Sequence, residues 1–178
     1  MKSKYQWVLL PALIGIAAYG ASGPLAPAAM ADKPDRQVLP PGDTVYPAGE
    51  ECPAALEPAG VRVRNTGPTS VLRVWDTGRS LFSGRHPGEW TNLATGKSVV
   101  LRLQGSADAV PQADGSFVGR LSGTTVFEFF PGDVGPGDQT TPRVYVFTGD
   151  VKLVFDPSGV VVAFSYTGTA DDVCAMIA

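Results

Sequence analysis

The sequence predicts an all-β fold, an antiparallel meander closing as a β-barrel or β-sandwich of about eight to nine strands. Three observations predict it. Apolar and polar residues alternate in short runs from Val61 to Thr167, the period of a strand with one wet face. Turn signals built on Gly, Pro, Asn and Asp recur at roughly ten-residue spacing between those runs. No segment carries an apolar stripe at helical spacing with caps, so no substantial helix is expected in the mature domain.

The chain of 178 residues divides into a signal peptide over 1–31, a Pro-rich flexible leader over 32–43 and one all-β domain over 44–178. Lys2 and Lys4 supply a positive start, Trp7–Ala18 an apolar stretch, and Ala29-Met30-Ala31 a small-x-small cleavage site. Pro11, Gly20, Gly23, Pro24 and Pro27 interrupt any membrane-spanning reading, so no stable membrane insertion is expected after cleavage. Pro34, Pro40 and Pro41 keep the leader extended, and from Thr44 the chain can lie along the domain as an edge.

The domain's elements follow in order. Val61–Arg64 alternates and ends at the Asn65-Thr66-Gly67 turn, and Ser70–Trp75 and Arg79–Phe82 flank Asp76-Thr77-Gly78 as a hairpin. Ser83–Gly88 reads as a loop before the strand Glu89–Leu93, and Asn92–Gly96 turns into Ser98–Gln104. Asp108–Gly115 reads as a polar connection, and Gly123 divides the strands Ser116–Ser122 and Thr124–Phe130, through a bulge. Pro131–Pro142 is the longest turn. Arg143–Thr148, Val151–Phe155 and Val160–Tyr166 close the domain, the last two joined by Asp156-Pro157-Ser158-Gly159, which fits a type I turn. Asp171–Ala178 has room for one helical turn holding Cys174.

Export of the domain removes Lys2 and Lys4, taking the 14 basic residues to 12 against 17 acidic ones. Interspersed charges of that balance argue against nucleic acid, which needs a clustered basic face. Cys52 and Cys174 are the two cysteines, and in an oxidising compartment such a pair forms a disulfide.

Candidate chemistry is sparse. Val74-Trp75-Asp76-Thr77-Gly78 has the form in which an aspartic protease presents a carboxylate. A second copy is absent, and Asp76 and Gly78 suit a hairpin turn. His86, the single histidine, has no nucleophile elbow to serve. Asp133 and Asp138 lie in a glycine-rich loop that could hold calcium, without the EF-hand spacing. Phe127, Phe129, Tyr145, Phe147, Phe164 and Tyr166 concentrate in the second half and either line an apolar ligand site or fill the core. Trp75 and Trp90 are stacking candidates for sugar, or core. No cofactor is expected.

Thr91–Val99, Gly119-Arg120 and Phe129-Phe130-Pro131-Gly132-Asp133 resemble a group of small secreted actinobacterial all-β proteins that also pair an early cysteine with one at the end. The resemblance runs from about Val45 to Ala178 and implies export and an all-β domain, with no activity attached. The expectation is therefore a secreted, non-enzymatic binding or surface-interaction module for an extracellular ligand or protein. The alternatives are a carrier of a small apolar ligand inside a barrel, and a secreted hydrolase.

Overall fold

The computed structural model describes residues 33–65, 70–138 and 142–178, without the side chains of His86 and Asp138. The signal peptide expected over 1–31 lies outside these residues, as does most of the Asn65-Thr66-Gly67 turn. The described residues form one nine-stranded antiparallel sheet and one short helix. The strands are β1 (Asp35–Leu39), β2 (Asp43–Tyr46), β3 (Val61–Asn65), β4 (Ser70–Val74), β5 (Ser80–Asn92), β6 (Ser98–Pro111), β7 (Phe117–Phe129), β8 (Arg143–Phe155) and β9 (Val161–Asp172). The helix α1 covers Val173–Ile177, with the Asp172 carboxylate accepting from the Ala175 N–H as its cap.

The strands are longer than the sequence suggests. Segments expected as loops or separate strands join across glycine, so that β5, β7 and β8 each run 13 residues. Pro87 is tolerated inside β5 for a clear reason. β4 pairs with Ser80–Ser83 and β3 with Gly88–Asn92, leaving Pro87 between them with a partner, Arg102, on the β6 side. The stretch 32–43, expected as a flexible leader, contains β1, which pairs with β4 from Asp35↔Val74 to Leu39↔Ser70.

The path runs β1-β4-β5-β6-β7-β8-β9, with β2 and β3 branching from β5. It does not return on itself, so of the two expected architectures, barrel or sandwich, the barrel closure is not formed: β1 and β9 end the path. Compactness comes from folding instead. Gly84, Gly105, Gly123, Gly149 and Gly168 stand opposite one another on five successive strands, one glycine row across the sheet. Gly123, Gly149 and Gly168 have φ of 96°, 136° and 94°, where L side chains are strained. A Cβ on any of the five would come within 3.0 Å of a neighbouring atom.

This row is a crease. Phe127 and Phe117 are ten residues apart on β7, roughly 33 Å in a straight strand. Yet Phe155, stacked on Phe117 at 4.1 Å, also lies 6.1 Å from Phe127. Strands β7 and β8 therefore fold in half, and their two halves face each other across an apolar layer. That layer holds Leu121, Phe127, Phe129, Phe147, Val151, Leu153 and Phe155. A second layer lies on the other side of β8, where Val144 and Val146 meet Val61, Val63, Trp90 and Leu103. The Cys52–Cys174 disulfide, with Val173 and Ile177 of α1, packs into that second layer.

Candidate binding surfaces and a buried acid pair

The six aromatic residues singled out from the sequence converge, as a packed layer with one open side. Phe127, Phe129 and Phe147 are buried and meet in edge-on or tilted ring contacts, with Tyr145 beside them. Phe164 and Tyr166 come from β9 and form the rim: Phe164 is half-buried, and Tyr166 is 43% exposed. Phe164 still touches Phe129 at 5.3 Å and Phe147 at 5.6 Å, so the rim is continuous with the layer.

Beside this rim runs the edge of β9. It pairs with β8 on one side, with Val162 bulged out of the register, and the strand order ends there. From Val162 to Thr169 every residue but Phe164 is exposed. The stretch Val161–Asp172 contains no Lys, Arg or Pro, the residues by which edge strands deter pairing. Its first residue is occupied: Val161 donates its N–H to Asp133 Oδ1 at 2.8 Å and accepts from Val134 N–H at 2.9 Å.

Asp133, read from the sequence as a calcium candidate, thus clasps the fold. Its second oxygen accepts from the Phe130 N–H at 2.8 Å, tying the end of β7 to the start of β9. Burial pushes its carboxyl pKa up, against those two hydrogen bonds. Asp138 lies in the single turn Pro136–Asp138. Among the described residues no group of three or more His, Cys, Asp and Glu is placed to hold a metal ion. Asp76 is exposed in its hairpin turn, where Gly78 N–H donates to Trp75 O at 2.8 Å and the Arg79 guanidinium lies 5.1 Å over the Trp75 ring. His86 is in the middle of β5, opposite Leu103. Trp90 is core, lying over Gly88, where any side chain would collide with its ring.

The sequence reading missed a cluster of buried acids under the disulfide. Glu51, Glu57 and Glu128 expose 1%, 0% and 4% of their surface. Trp90 Nε1–H donates to Glu51 Oε1 at 3.1 Å, and Tyr46 O–H donates to Glu128 Oε2 at 3.3 Å. Glu51 and Glu128 lie close enough that each shifts the other's titration. Glu51 Oε2 and Glu128 Oε1 are buried without a hydrogen-bond partner, an arrangement that disfavours two charged carboxylates side by side. Desolvation, then the charge of Glu128, pushes Glu51 well up, and desolvation raises Glu128 to about 7. Glu57 has no accessible surface and neither of its oxygens has a hydrogen-bond partner, and burial raises its carboxyl to about 7. Tyr46 and Trp90, which hydrogen-bond the pair, are themselves buried, 3% and 1% exposed.

No family model, curated protein or solved structure matches the chain.

Proposed function

We propose that the protein is an exported, non-enzymatic binding module that takes up an extended peptide segment of a partner protein along β9. The observation that carries this is the open edge of β9 beyond Val161, beside a half-open aromatic rim. An added strand would satisfy the edge's outward N–H and C=O groups, and alternate side chains would reach the rim at Phe164 and Tyr166. Export rests on the N-terminal Lys2, Lys4, apolar run and Ala29-Met30-Ala31. A buried disulfide and the lack of a membrane-spanning helix among the described residues fit it. The carrier reading loses force because Phe127, Phe129 and Phe147 fill their layer with one another.

The test is selection of binders from a displayed library of extended peptides, followed by Ala163→Lys with Thr167→Lys. The selected peptides should lose at least tenfold in affinity for that variant. Peptides that bind it unchanged would defeat the reading. A stoichiometric small-molecule adduct in native mass spectrometry of protein recovered from culture medium would replace it with the carrier.

A further inference from the structure

A transverse row on the outer face of the sheet carries like charges side by side. The register sets Arg36 against Arg73 at the β1 end and Arg120 against Lys152 at the β8 end. The same row passes through Leu81 and Asp108 between them. Residues opposite one another share a face, so all six side chains lie on the surface away from the aromatic layer, where Leu121 and Leu153 point inward. Arg36, Arg120 and Lys152 are exposed, and Arg73 is steadied by donating to Ser83 Oγ at 3.0 Å. Like charges directly opposite destabilise a sheet, and this row holds two such pairs.

Two acids lie beside the row, Asp108 within it and the exposed Asp150 two residues from Lys152 on the same face, against four cations. Asp108 is taken by Arg79 in a two-pronged pair at 2.9 and 3.1 Å. Asp150 lies in the adjacent row with Ser83, Ser106, Ser122 and Thr167. Glu51, Glu57, Glu128 and Asp133 are buried, so the chain's net negative charge overstates what this face presents.

We infer that this outer face binds an acidic polysaccharide. The row crosses five inter-strand steps of about 4.8 Å, roughly 24 Å, with a cation pair at each end, so a chain of several sugar residues could span both pairs. Guanidinium groups pair with carboxylate or sulfate oxygens in a two-pronged fashion. In the neighbouring row the hydroxyls of Ser83, Ser106 and Ser122, on the side away from Asp150, are small enough to let the polymer lie close and can bond sugar hydroxyls. This surface lies away from the β9 edge and does not depend on it.

The experiment is salt elution of the secreted protein from heparin–agarose, with soluble alginate, dextran, polyphosphate and single-stranded DNA as competitors. The protein is expected to be retained, to be displaced by alginate and not by dextran, and to elute earlier as salt rises. Arg120→Gln with Lys152→Gln should at least halve the eluting salt concentration. Arg85→Gln with Arg102→Gln removes as much charge outside the row and should leave it unchanged. Failure of retention, equal loss in both double variants, or tenfold tighter competition by polyphosphate or DNA would overturn the inference. The row variant should keep or raise the melting midpoint, because it relieves a like-charge pair, so lost retention cannot be put down to unfolding.

Discussion

At the scale of residues, the buried acids set how stability responds to pH. Glu128 and Glu57 titrate near 7 in the folded chain against 4.5 unfolded, and Glu51 is raised in the same sense. A raised carboxyl contributes its full stability below the unfolded value and loses it as pH climbs through the folded one. Asp43, Asp114 and Asp156 are lowered, by hydrogen bonds to Arg62, Ser116 and Ser158 first, so their share is lost at the acid end instead. Stability should therefore peak near pH 4 to 5 and fall through about pH 7, by on the order of 3 kcal/mol for a group such as Glu128. Urea unfolding from pH 4 to 8.5 measures this. Glu128→Gln keeps an acceptor for Tyr46 and should flatten the decline; an unchanged slope would remove Glu128 from the account. In the sequence, Glu128 between Phe127 and Phe129 has the look of a residue on a wet face. It is buried because beyond the crease both faces of β7 are covered, which alternation along one strand cannot reveal.

At the scale of elements, the glycine crease decides whether the long strands can fold in half. Gly149→Ala puts a side chain at φ 136° and drives its Cβ into the backbone of β9. Gly96→Ala also takes a positive φ, 75°, but meets nothing within 4 Å. The Gly96 change should cost about 1 kcal/mol, the conformational strain by itself, and the Gly149 change roughly 3 kcal/mol or more. Equal midpoints in a urea series would show that the crease does not need glycine. Alternation located the β-rich segments of this sheet well, and the turn expected over Asp156–Gly159 is seen in the Gly159 N–H bond to Asp156 O, with Asp156 N–H bonded in turn to Val160 O. The glycines misled because each, taken singly, is a strand breaker. Their meaning lies in symmetry: Gly84 and Gly105 stand equally far from the Ala94–Thr95 turn, and each later pair is likewise mirrored about its own turn.

At the scale of the molecule, the disulfide joins the segment before β3 to α1 across 122 residues of chain. In the chain-entropy model such a loop stabilises by about 4 to 5 kcal/mol. Cys52→Ala with Cys174→Ala should lower the urea midpoint accordingly, while the aromatic layer, which lies apart from the sulfurs, keeps its near-ultraviolet signal at low denaturant. The cysteine pairing could be read from the sequence because its two cysteines leave one partner each once an oxidising compartment is expected. Whether the meander closes could not be, because closure depends on how the sheet bends and not on the pattern within any strand. The bend leaves β9 open, and the functional proposal stands on that opening.

Amide hydrogen exchange along β9 in the free monomeric protein tests the opening most directly. From Ala163 to Ala170, amides bonded to β8 should exchange slowly and those facing outward rapidly, in alternation, with the Val161 amide protected by Asp133. Uniform protection along that stretch would mean that β9 is already covered, and the account of it as a receiving edge would fail.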